Sequence, residues 1–264
     1  MKVLIRGAGD IASGIALRLW RAGFRVVMTD LPQPTAIRRT VCFSEAIVHG
    51  EACVEGITAR LAVNAAQVEV IWQAGEIPVL ADPEMKCREW LHPDVQVDAI
   101  LAKRNLGTKI TDAPVVIGVG PGFIAGEDCH AVVETMRGHT IGRVYYQGSA
   151  LPNTNVPGLI GGFAGERVLR APCDGIFHPL LDIGAVVKSG DVAAMVGEIP
   201  LRCTINGVLR GILPDETPVH RGMKAGDVDP RCKVEYCYSV SDKALSVGGG
   251  VLEAILCQSQ CRPK

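Results

Sequence analysis

Through the first 150 residues, short runs of aliphatic and β-branched residues alternate with stretches of helical period. That alternation predicts a largely parallel sheet with helices on its faces. The predicted strands are Val3–Ile5, Phe24–Thr29, Ile77–Ala81, Val97–Ala102, Val115–Val119 and Arg143–Tyr146. Ile11–Ala22 and Val63–Ala74 place apolar residues at helical spacing, and each stretch ends at a glycine, Gly23 or Gly75, suited to a left-handed cap. Ser44 with Glu45 opens a shorter helix, and Gly250–Leu256 closes the chain with another.

Periodicity fails over residues 151–165, LPNTNVPGLIGGFAG, which reads as a linker rich in proline and glycine. Beyond it a weak repeat appears: APCDGIF followed by KSGDV is echoed by TINGVLRGI followed by KAGDV. Two such halves interlock into a small all-β unit, since neither covers its own apolar face alone. The expected organisation is therefore α/β. A Rossmann-like domain over 1–150 is joined by the linker to a β-rich domain over 166–240, and a helix and tail fill 241–264. The repeat resembles the barrel-sandwich hybrid of biotinyl and lipoyl carriers. The hairpin that would carry their cofactor lysine reads AMVGEIPLR here, without lysine, so swinging-arm chemistry is not expected.

The segment RGAGDIASG follows the first strand and opens the first helix, matching G-x-G-x-x-G/A with Gly7, Gly9 and Ala12. Gly7 permits the tight turn, Gly9 leaves room for a phosphate, and Ala12 lets helix and strand approach closely. The helix amides and dipole then face the anion. Asp30 ends the second strand, where a carboxylate can accept hydrogen bonds from both hydroxyls of an adenosine ribose. NAD or another adenosine nucleotide is the expected ligand. Asp10 departs from the pattern, because its charge opposes a pyrophosphate unless it turns aside.

A second glycine loop, VVIGVGPGFIAGEDCHAVVETMRGH, places Gly120 and Gly122 after a strand and then Asp128, His130, Glu134, Arg137 and His139. If Glu127–Arg137 is helical, His130 and Glu134 share a face. With Lys103, Arg104 and Asn105 after another strand, and Arg38 and Arg39 beyond Asp30, these residues form a candidate anionic-ligand cleft. No metal motif of the HExxH kind is present, and the pairs Cys232/Cys237 and Cys257/Cys261 lack zinc-knuckle spacing, so no metal site is expected. Cys129 and Cys173 are the candidate reactive thiols, weighed against small buried hydrophobes.

Charge narrows the partners. The 27 basic and 28 acidic residues nearly balance, which argues against nucleic acid. The uncharged run Ala113–Gly126 is too short and glycine-rich to span a bilayer, and no export signal follows Met1. Ten scattered cysteines then fit reduced thiols and a cytoplasmic protein, with a homo-oligomer left open.

Read in order, RGAGDIASG, PTAIRRTV, LAKRNLGT, GVGPGF, ETMRGH and GGGVLEAIL resemble the YqeB-like accessory proteins of selenium-dependent molybdenum hydroxylase systems. The resemblance implies a role in maturing a molybdenum hydroxylase, in company with that enzyme or its cofactor-maturation proteins, and makes a molybdopterin dinucleotide a second candidate ligand. Two other readings stand beside it. One is an NAD-dependent oxidoreductase using His130 or His139 for proton transfer. The other is a non-catalytic adaptor with a vestigial nucleotide fold.

Overall fold

The computed structural model describes residues 1–154 and 156–260. Cys261, one half of a cysteine pair considered above, lies outside them. The described chain forms two compact units: Met1–Pro34, Cys42–Thr154 and Val240–Lys264 make the first, Thr35–Val41 and Asn155–Ser239 the second.

The first unit is built on β1 (Lys2–Arg6), β2 (Arg25–Asp30), β3 (Glu51–Val54), β4 (Ile57–Leu61), β5 (Ile77–Ala81), β6 (Val95–Asp98), β7 (Val115–Val119), β8 (Ala131–Val133) and β9 (Val144–Tyr145). Among the described residues these pair in the order β3-β4-β5-β2-β1-β6-β7-β8-β9. The parallel run β5-β2-β1-β6-β7-β8 reproduces the doubly wound order, with strand succession reversing between β1 and β6. Antiparallel β3 and β9 close the two edges. β1, β2 and β7 bury both faces, as near-continuous aliphatic runs require.

The helices are α1 (Asp10–Arg21), α2 (Glu45–His49), α3 (Ala65–Gln73), α4 (Arg88–Leu91) and α5 (Asp242–Gln260). α1 buries Ile11, Ile15 and Leu19 together with Ala12, Gly14 and Ala16, so it is covered on more than one side. Its second cover is α5. A methyl group on Gly14 would lie 2.6 Å from Ala244 Cβ, and one on Gly248 would lie 3.0 Å from the Gly14 carbonyl oxygen. The small residues let the two backbones meet. α5 is longer than the predicted Gly250–Leu256, because the glycines at 248–250 look like a break in sequence, yet Gly248 and Gly250, within the helix, serve close packing.

The segment Glu127–Arg137 is not a helix. After Gly126, in a left-handed conformation, the Asp128 carboxylate accepts the Ile124 N–H at 2.8 Å in a tight turn, and Ala131–Val133 then enters the sheet as the buried β8. His130 and Glu134 therefore share no helical face. A three-residue apolar run fits one turn of helix or one buried strand equally well, and long-range pairing with β7 decides it.

The second unit contains β10 (Val168–Arg170), β11 (Gly175–Pro179), β12 (Val186–Val187), β13 (Val192–Val196), β14 (Ile199–Arg202), β15 (Gly207–Ile212), β16 (Thr217–Val219) and β17 (Lys224–Asp229). They form two antiparallel sheets, β10-β17-β15-β12 and β14-β13-β11-β16. The repeat explains the arrangement: β11 pairs with its own repeat mate β13 and with β16 from the other half, while β15 pairs with β17 and with β12. Each half lends its middle strand to the other. Phe177, Val208 and Leu209 are fully buried in the core of this unit. Beside them Arg210 reaches Asp227 at 2.9 Å and Asp229 at 3.0 Å, while Arg167 pairs with Asp227 and Arg231 with Asp229. Burial would raise the Asp229 pKa, but hydrogen bonds from Arg231 and the charges of Arg210 and Arg231 hold it below the usual carboxylate value.

Candidate functional site

The carboxyl ends of β1 and β6, on either side of the reversal in strand order, are where an open α/β sheet presents a ligand crevice. Gly7 leaves β1 with φ +104° and donates its N–H to the Thr29 carbonyl at 2.7 Å. A side chain there would meet the backbone of Ala99, 3.1 Å from its oxygen, so the first loop turns directly against the start of the segment after β6. Gly9 opens α1, and a methyl group on it would meet nothing within 4 Å. Ala12 is buried, as close helix–sheet packing requires. Asp10 stands half-buried in the first helical turn.

Asp30 braces this loop. One carboxylate oxygen accepts the Ala8 N–H at 2.7 Å and the other accepts the Leu31 N–H at 2.8 Å. Burial raises its pKa above the ordinary aspartate value, against the pull of the Leu31 and Ala8 amides. A carboxylate has about four acceptor positions, so two stay available for hydroxyl donors. Behind the loop, the Ser44 N–H reaches the Ala8 carbonyl at 2.9 Å, and Ser13 Oγ both donates to that carbonyl and accepts the Phe43 N–H. The Ser44 and Thr29 hydroxyls are buried beside it with no hydrogen-bond partner. The open face of Gly9 at the start of α1 leaves room for a phosphate group.

Three residues that sequence reasoning missed organise the other bank. Arg6 and Asp98 are register partners on β1 and β6, and the Arg6 guanidinium meets the fully buried Asp98 carboxylate at 3.0 Å. Asp98 also accepts the Thr108 hydroxyl at 2.6 Å, and Arg6 donates to the carbonyls of Pro83 and Leu106. The pairing depends on the register of β1 with β6, which no local sequence signal gives. Asn105 adds a second tie: its oxygen accepts the Gly107 and Thr108 amides, and its nitrogen donates to the Thr108 carbonyl and to Asp128.

The remaining predicted cleft residues divide. Gly120 and Gly122 have positive φ, but a side chain on Gly120 would strike Thr135 and one on Gly122 would lie 2.5 Å from Arg104 Cα. The second loop is filled by the protein's own atoms. The fully buried Glu134 carboxylate accepts the amides of Thr135, Met136 and Leu151. Arg137 makes a two-pronged pair with Asp242 at 2.7 Å per contact. His130 Nδ1 accepts the Val116 N–H at 2.9 Å, and His139 is exposed. Arg38 and Arg39 belong to the second unit: Arg38 donates to the carbonyls of Tyr236 and Ser239, and Arg39 to that of Ile212. Lys103 and Arg104 are exposed on the loop after β6.

Cys129 is fully buried and its thiol is pushed up to about 11 by desolvation, which makes it an inert core group rather than a nucleophile. Cys173 is half-buried, its thiol 3.6 Å from the Val196 carbonyl. Among the described residues no three His, Cys, Asp or Glu side chains cluster to hold a metal ion, and no helix is long and apolar enough to cross a membrane.

Fold and loop together define a Rossmann-type α/β unit carrying an antiparallel β unit in the same chain. No family model matches the chain. It is closely similar to the Escherichia coli (strain K12) protein described as uncharacterized protein YqeB, with 52% identity over 254 residues, 96% of this chain and 47% of that one. The chain thus spans about half the length of the curated relative it matches. Among solved structures, product-bound ectoine utilization protein EutE (DoeB) from Ruegeria pomeroyi is 13% identical, with 77% of this chain and 57% of that chain covered, at a TM-score of 0.24. An aspartoacylase family protein from Mesorhizobium loti is 12% identical, with 86% and 84% covered, at a TM-score of 0.28. Scores this low carry no inference about fold or chemistry.

Proposed function

We propose that the chain binds an adenosine-containing nucleotide, NAD or a molybdopterin dinucleotide, along Gly7–Asp30, and that it serves the maturation of a selenium-dependent molybdenum hydroxylase. The observation that carries the binding half is Gly9: it faces open space at the start of α1, beside the point where strand order reverses. The maturation half rests on the sequence resemblance, and its partners are the hydroxylase or the proteins that build its cofactor.

In this reading Gly9 and the first turn of α1 take the phosphates, Asp30 takes the ribose hydroxyls, and Arg6 with Asp98 fixes the opposite bank. A bound molybdopterin dinucleotide would supply its own dithiolene for molybdenum; the chain's part is to hold the nucleotide end and orient the rest. Native mass spectrometry of gently purified protein, with titration of NAD, NADP, ATP and a molybdopterin dinucleotide, tests the proposal. A retained or tightly bound dinucleotide supports it. Turnover of NAD with a small substrate would replace it with the oxidoreductase, and protein that binds none of the four yet retains a hydroxylase would replace it with the adaptor.

A further inference from the structure

We propose that Lys103 and Arg104 dock an oxyanion, the phosphoryl or carboxylate group of a ligand that extends from the glycine loop across the end of β6. The proposal takes the nucleotide reading of Gly7–Asp30 as its starting point and adds a second contact to it.

Three observations converge on this pair. The first is position. The segment after β6 begins against Gly7, whose missing side chain leaves 3.1 Å to the Ala99 oxygen and 3.3 Å to the Ile100 nitrogen. Farther on, the backbone of Arg104 rests on Gly122, so residues 99–104 run from the first glycine loop to the second.

The second is conformation. Leu101 and Lys103 both adopt left-handed φ, +56° and +63°, two non-glycine residues within three positions. Such a conformation is strained for an L side chain and persists only where neighbours dictate it. Here the Asp98 and Asn105 hydrogen bonds and the contact at Gly122 dictate it.

The third is charge. Neither Lys103 nor Arg104 forms an ion pair among the described residues, and both are exposed. The carboxylates on the same bank are committed: Asp98 to Arg6 and Thr108, Asp128 to Asn105 and the Ile124 amide. The other arginines predicted for the cleft are committed too, Arg137 to Asp242 and Arg38 and Arg39 to carbonyls of the second unit. Two adjacent cations are thus held on a fixed backbone at the ligand-facing end of the sheet, a fork and a point charge suited to an oxyanion.

The test is an NMR titration of the full chain with inorganic phosphate and, separately, malonate, following the amides of residues 99–108 and the Arg104 side chain. Lys103→Gln and Arg104→Gln are compared singly and together, with Lys188→Gln on the second unit as the control. The expected result is saturable shifts in 99–108, weakened about tenfold or more by the double substitution and unchanged by the control, with thermal unfolding unaltered. The tighter of the two probes names the group. Shifts that are absent, or that survive the double substitution, overturn the proposal. If NAD binds while phosphate and malonate ignore the loop, this inference alone fails; if an oxyanion binds the loop while no nucleotide binds, the nucleotide reading alone fails.

Discussion

At Gly9 an added methyl group would meet open space, whereas at Gly118, Gly120 and Gly122 it would meet Phe123, Thr135 and the backbone of Arg104. Both loops follow a parallel strand and both read as glycine-rich, yet the first is kept clear and the second is filled. Gly118, Gly120 and Gly122 are explained by what the protein packs against them. Gly9 has no such internal contact, which is why the proposed nucleotide is placed at the first loop and the second is treated as support for its neighbour.

The largest effect should come from the buried tie between β1 and the segment after β6. Asp98→Ala removes the buried partner of Arg6 and Thr108 and should cost about 3–5 kcal/mol, the usual range for breaking a buried ion pair, as read by urea unfolding. A cost under about 1 kcal/mol would mean the tie is dispensable. Gly122→Ala combines a left-handed φ with a collision against Arg104 and should cost about 2–4 kcal/mol, losing binding only in proportion to fold. Gly9→Val should do the opposite. Its backbone, at φ −75° and ψ −171°, suits any residue, so stability should change by about 1 kcal/mol or less while nucleotide binding is lost.

Two pH effects sharpen the contrast further. The raised pKa of Asp30 means the fold favours its protonated form, so its contribution to stability is present at low pH and is lost as pH rises through the folded value. Relative to Asp30→Asn, the wild type should therefore gain stability on acidification into the carboxylate range, and a relative loss in urea melts at several pH values would contradict the assignment. The smallest effect is at the second loop: Cys129, pushed up to about 11, should resist alkylation at pH ~8 in native protein while the exposed Cys53 and Cys232 react.

Much of the fold was legible in sequence because local signals agreed with it. β1, α1 and Gly23 fall where periodicity and capping put them, and the repeat in the second unit appears in its strand exchange. The β3–β4 hairpin was missed, although Glu55-Gly56 supplies its left-handed turn. β8 was misread because its identity depends on pairing with β7. The site was less legible. Arg6 and Asp98 are 92 residues apart and meet only through strand register, while PTAIRRTV gives no local sign that Arg38 and Arg39 leave for the second unit. Polar residues gathered by proximity to a glycine loop in sequence proved to be capping and packing groups at Glu134 and Arg137.

Isothermal titration of the wild type and of Gly9→Val with NAD and with a molybdopterin dinucleotide, at matched folded fraction, addresses the central claim most directly. The account predicts saturable binding of at least one dinucleotide by the wild type and none by the variant. Equal binding by both, or binding by neither, would contradict it.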